Sequence, residues 1–161
     1  MDTSDVAKAL SAFESGKLPS DVFNQVARLT VTPVVELVAF FRDTDNATKV
    51  FLLRRDINDP LWGNMYHVPG SIVLASDAPG SFSDALHRIQ TSKLDSVDLT
   101  EPRLVDIQLC KVARGTEVAI IYAAELKGRP SEDMLFDLQA LPDGMIEGHS
   151  EFIAAAVKAL F

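Results

Sequence analysis

The chain is short of cysteine, of aromatic residues and of positive charge, and it contains no long hydrophobic run. Its one cysteine, Cys110, lies inside the apolar stretch Leu104 to Ala113. An internal disulfide is therefore excluded, as is a cysteine-rich metal site, and the expected compartment is the cytosol. Lysine and arginine number 15 against 23 aspartates and glutamates, a formal net charge of −8. That balance argues against a protein held on nucleic acid by phosphate neutralisation, while leaving room for a local basic pocket that takes a small anion. No segment approaches the length of a membrane span, and Met1–Asp5 carries acids where a secretory signal would carry bases, so no membrane partner is expected.

What is present is enough for one core. With 161 residues, 47% of them hydrophobic and 24% charged, a single domain is the natural reading. Val6, Ala9, Leu10 and Phe13 stand at helical spacing before a stop at Gly16, and Val22, Phe23, Val26 and Leu29 repeat the pattern after Pro19–Ser20. Thr30 to Phe41 reads as a buried strand, and the turn residues Asp43 to Asn46 return it into a strand over Lys49 to Arg55. The loop Asp56 to Trp62 leads into Met65–Val68, the Pro69–Gly70 break and an extension over Ser71–Leu74. Ser81 with Asp84 resembles a capping box opening a helix whose Phe82, Ala85, Leu86, Ile89 and Leu94 share one face. Leu104–Ala113 and Glu117–Leu126 form a second hairpin around Arg114–Gly115, Leu135–Leu138 a short edge strand, and Ser150 begins the last helix. The sum is an α/β chain with a mixed (α+β) sheet between helices.

Three segments, in order, resemble the Nudix hydrolases. VFLLRRDINDPLWGNMYHVPGSIV, from Val50 to Val73, is similar to the entry of that domain, with its strand ending in arginine, loop, aromatic and Pro-Gly turn. ALHRIQTSKL, from Ala85, sits where the family keeps its box helix, and FDLQALPDGMIEGHSEF is similar to the closing segment. The resemblance implies a Nudix-type α/β/α sandwich over residues 31–161, with residues 1–30 as an added helical extension packed on it. The family box reads G-x5-E-x7-R-E-U-x-E-E-x-G-U, and its glutamates hold divalent ions because residues three and four apart share a helix face. Here Arg88 falls on the box arginine, while Ile89, Ser92 and Lys93 stand at three glutamate places, Gly80 at the first, and Ser71 at the second glycine of the usual Pro-Gly-Gly. Sliding the alignment so that His87 takes the arginine place substitutes Arg88, Thr91 and Ser92 and recovers no acid. The box is degenerate in either register.

The GDP-mannose mannosyl hydrolases are the branch most similar in outline, since they also depart from the box. That resemblance implies Arg55 on a diphosphate and His149 as the base. Glu147 and Glu151 flank His149 and are expected to raise its pKa toward neutrality, against the plain alternative of a helix-start residue. Arg54 and Arg55 alternate across a strand, so one faces a pocket and the other solvent or an acid such as Asp56 or Asp59. Trp62 is open between ligand stacking and core closure, whereas Tyr66 reads as a packed residue, His67 as a packed or edge residue and His87 as exposed. Lys93 either replaces the charge of a metal in holding a diphosphate or is a solvated lysine at a helix end. Arg88, as the box arginine, completes the substrate-binding set.

No histidine pair has metal-ligand spacing, and Glu117, Glu125, Glu132 and Asp133 are scattered, so no metal site is read from the sequence. Mg²⁺ or Mn²⁺ would need acids outside the box, with Asp77, Asp84 and the loop after Leu126 as the sources to inspect. The expected function is hydrolysis of a nucleoside diphosphate linked to another moiety, with conventional activity in question. The alternative is a non-catalytic Nudix-fold module that binds a nucleotide-like small molecule or another protein. A homodimer is the self-association to look for, starting from the amino-terminal helices.

Overall fold

A computed structural model describes residues 2–13, 18–94 and 97–161, and everything structural below refers to these. The expected stop at Gly16 lies outside them. Strand β1 (Val31–Arg42) is the axis of the molecule. Val35, Leu37 and Ala39 on one face pack with Ala85 and Ile89 of helix α3 (Ser83–Lys93). Val38 and Phe40 on the other pack with Phe152, Ile153 and Ala156 of helix α4 (His149–Leu160). A strand covered on both faces needs apolar side chains at successive positions, which is why this run does not alternate.

Five more strands complete the main sheet: β2 (Thr48–Phe51), β5 (Gly70–Ile72), β6 (Arg103–Val112), β7 (Gly115–Glu125) and β8 (Leu135–Asp137), in the order β6-β7-β1-β2-β8 with β5 also on β1. One edge of β1 runs parallel to β7 from Val31 opposite Thr116 to Phe40 opposite Glu125. The other edge is divided. Val34 to Glu36 pair with β5, Phe40 to Arg42 pair with β2, and between them the Leu37 N–H donates to the Pro69 carbonyl at 2.8 Å. The intervening chain forms a separate two-stranded ribbon of β3 (Leu53–Arg54) and β4 (Tyr66–His67). This split edge leaves room for the site.

The α/β/α layering and the mixed sheet are as expected, as are the two hairpins and the final helix, which starts one residue early at His149. Three local expectations are corrected. The strand over Lys49–Arg55 breaks at Leu52, whose N–H turns to Met134 at 2.9 Å, so that Leu53 and Arg54 can join the ribbon. Gly70 begins a strand rather than interrupting one, because its backbone pairs with Glu36. No capping box forms: Ser81 receives the Ser83 N–H at 3.4 Å, and Asp84 is occupied by the Ala78 N–H at 2.8 Å.

Of the amino-terminal helices, α2 (Ser20–Leu29) packs on β7 and β1, whereas α1 (Thr3–Leu10) buries no residue. Gly115 allows the α2 contact. Its φ of +149° suits glycine, and a Cβ there would come within 2.7 Å of the Ala27 carbonyl. No described helix is long and apolar enough to cross a membrane.

Candidate ligand-binding site

At the divided edge of β1 a cavity of about 280 Å³ opens, and Glu36, Arg55, Trp62, Lys93, Arg114 and Glu117 give it its chemistry. Glu36 lies two residues from Val38 on the α4 side of the sheet. It stands opposite Gly70. A Cβ at position 70 would collide with the Glu36 carboxyl, so the glycine of the Pro-Gly turn is what gives that side chain its place. Arg55 follows β3 and is anchored by its N–H to Met65 at 2.9 Å. Its guanidinium lies 5.5 Å from the centre of the Trp62 ring and 3.6 Å from Asp59. Asp59 in turn accepts the Leu61 and Trp62 N–H groups, both at 3.0 Å, which fixes the loop carrying the tryptophan.

Trp62 is only 9% exposed and also carries the Arg114 guanidinium at 5.3 Å. Its ring holds two guanidinium groups at the cavity. Arg114 is tied down further by an ion pair to Glu117, with Nε donating to Oε1 at 2.9 Å, and by Phe23 of α2 at 5.1 Å.

Lys93, the last residue of α3, lines the same cavity and is not the solvated helix-end lysine of the plainer expectation. Burial lowers its pKa, as does neighbouring Arg55, while Glu36 opposes them. Glu36, 6% exposed, is pushed up to about 8, first by burial and then by the Glu117 charge. At neutral pH it is a neutral acid. Among the described residues two buried side-chain polar atoms have no hydrogen-bond partner, Glu36 Oε2 and Arg55 Nε. Both residues line this cavity.

His149 also lines the cavity, but its environment overturns the expected titration. Its Nδ1 accepts the Val68 N–H at 3.2 Å. Burial, then His67 and Arg55, press its pKa down to about 3. Glu147 and Glu151 are exposed and do not contribute to that shift. His67 is buried as expected, donates from Nδ1 to the Val68 carbonyl at 2.7 Å, and is lowered to about 4, chiefly by burial.

Arg88 is not at the cavity. It pairs with Asp77, NH2 to Oδ2 at 2.8 Å, and also reaches Ser71 Oγ at 3.2 Å and the Ile72 carbonyl at 2.9 Å, so its donors are consumed by β5 and the turn that follows it. That removes Asp77 as a metal ligand, and Asp84 faces the Ala78 N–H. Arg54 is exposed and lies over the Tyr66 ring at 5.3 Å, while Tyr66 packs edge-on against Phe136. Of the two arginines it is Arg55, at the cavity, that pairs with Asp59. His87 is exposed, as expected.

A divalent cation does not fit this donor set. No group of three or more His, Cys, Asp or Glu ligands converges among the described residues. The two cavity carboxyls are unsuited: Glu117 is spent on Arg114 and Glu36 is neutral, with Lys93, Arg55 and Arg114 around them. Sequence reasoning missed Glu36 and Arg114 and left Glu117 among scattered acids. The lone charge in the run VTPVVELVAFF was the available signal for Glu36.

No protein-family model and no curated protein matches the chain. Solved structures do match. The Nudix domain of Shewanella oneidensis NrtR complexed with ADP ribose covers 100% of both chains at 18% identity with a TM-score of 0.65. A mutT/nudix family protein from Listeria innocua gives 0.65 at 16% identity over 81% of this chain and 95% of that one. The C. elegans Ap4A hydrolase gives 0.60 at 12% identity over 82% and 100%. The fold is the Nudix fold. At these identities the likeness concerns architecture, so the Nudix cavity must be read from its own residues.

Proposed function

We propose that this Nudix-fold chain is a binding module for a small molecule that carries a diphosphate, taken up without a divalent cation and without conventional hydrolysis. The observation that supports it is the pair of unpartnered buried atoms, Glu36 Oε2 and Arg55 Nε, at one cavity with Lys93. A buried donor or acceptor left unsatisfied costs about 1–3 kcal/mol, which a ligand oxygen placed between such groups recovers. Arg55 and Lys93 are the cations for the anion, with Arg114 already matched by Glu117. Lys93 stands in the helix where the Nudix resemblance expects a metal-holding glutamate. Its ammonium repels the metal and attracts the phosphate.

The mannosyl-hydrolase form of the resemblance would need His149 to take a proton. An imidazole pressed to about 3, with Nδ1 already accepting a backbone N–H, is a weak base at neutral pH. A nucleotide-like ligand bound through its diphosphate is therefore preferred over a nucleotide-sugar substrate. The test is calorimetry with ADP-ribose, with Mg²⁺ and with EDTA, alongside product analysis. Equal binding in both buffers and intact ligand are expected. Turnover that requires Mg²⁺ would overturn the reading.

A further inference from the structure

We infer that Glu36 is a ligand-binding residue of this cavity, and that it takes part as a neutral carboxylic acid whose O–H donates to an ionised oxygen of a diphosphate diester. This rests on the binding function proposed above and says which chemistry the cavity selects: an acceptor-only oxygen that stays unprotonated, facing one neutral and two charged donors.

The geometry carries it. The Glu36 carboxyl is clamped against Gly70, and no described residue donates to its Oε2. It makes no ion pair among the described residues, although Lys93, Arg55 and Arg114 line the same cavity. A carboxylate buried beside cations would be expected to draw one of them into a hydrogen bond. An unpaired acid instead is what a protonated group looks like. Of the groups facing it, Glu117 on β7 repels its charge and His67 and His149 are depressed and neutral, while Lys93 at the end of α3, Arg55 and Arg114 favour ionisation but are outweighed by burial and Glu117.

A carboxylic acid kept neutral by its surroundings is a strong donor to an anion, and it cannot donate once ionised. The Glu36 carboxyl keeps its proton on binding and the ligand oxygen stays ionised, so no co-reactant is needed. Ionisation would place a carboxylate against the ligand phosphate and lower the affinity by up to tenfold for each pH unit above the transition near 8.

The experiment is calorimetric titration of ADP-ribose into the wild-type chain and Glu36→Gln between pH 6 and 9.5. The ligand's diphosphate carries no titrating proton in that range, and neither do His67 or His149. The expected result is wild-type affinity that is flat to about pH 7.5 and then falls, while Glu36→Gln, which keeps a neutral donor of the same shape, binds within a few-fold at pH 7 and stays flat. A fall that persists in Glu36→Gln would assign the titration to Lys93 and overturn the inference, as would a flat wild-type profile. Failure of both proteins to bind at any pH, in samples shown to be folded, would instead remove the binding function itself.

Discussion

Arg88 and Arg55 both follow from the family resemblance, yet the structure uses them in opposite ways. Arg88 gives its donors to Asp77, Ser71 and the Ile72 carbonyl. Arg55 has one loose acid partner, an aromatic ring beneath it and an Nε with nothing to meet. An arginine that is fully satisfied by the protein has little left for a ligand; one that is held in place but unsatisfied is free to receive it.

The contrast is open to attack from both sides. Arg55→Ala is expected to weaken ADP-ribose binding by about 30-fold or more, the scale of a lost charged hydrogen bond, with the thermal midpoint nearly unchanged because a protein-unsatisfied group is removed. Calorimetry beside a melting curve decides, and a large drop in midpoint would mean Arg55 is structural. Arg88→Ala should behave in reverse. It strands the Asp77 carboxylate, whose side chain is 9% exposed, and should cost about 2 kcal/mol in a denaturant titration while leaving affinity within about threefold.

A third test uses the two buried histidines. Their folded pKa values, about 4 and about 3, lie below the unfolded value of 6.5, so the unfolded chain binds more protons in between. Stability is full above pH 6.5 and falls as the pH drops toward 4, by up to about 1.4 kcal/mol per pH unit for each histidine. Phe substitutions at positions 67 and 149 should flatten the acid limb in denaturant titrations. A further test concerns Glu36 without ligand. Its folded pKa is raised to about 8, so its contribution is complete below about pH 4.5 and lost as pH rises through 8. Glu36→Gln should therefore gain stability relative to wild type as the pH rises from 5 to 8, by up to about 1.4 kcal/mol per pH unit, which paired melts would show.

Much of the layering is legible in the sequence because it depends on short-range patterns. Val35, Leu37 and Ala39, with Ala85 and Ile89, announce faces that must be buried, and the turns Asp43–Asn46 and Arg114–Gly115 announce their hairpins. Arg55, Trp62, Lys93 and His149, all marked by the resemblance, do line one cavity. What cannot be read are properties of long-range company. The depression of His149 comes first from burial and then from His67 and Arg55, far along the chain, and the glutamates beside it have no part in it. Arg88 escapes a reading by motif because its partner Asp77 lies in a turn whose path follows from Gly70 joining β1. Glu36 becomes visible only when Glu117 and Gly70 are placed around it.

The parallel pairing of β1 with β7 joins residues roughly 85 positions apart, the kind of contact that closes late in folding. During synthesis β1 and its hairpin partner emerge long before β7, and Glu36 meets water as an ordinary ionised glutamate. Only when β7 docks and brings Glu117 and Arg114 to the cavity does that carboxyl lose its solvent. Folding therefore includes the uptake of a proton by Glu36 at pH values between about 4.5 and 8.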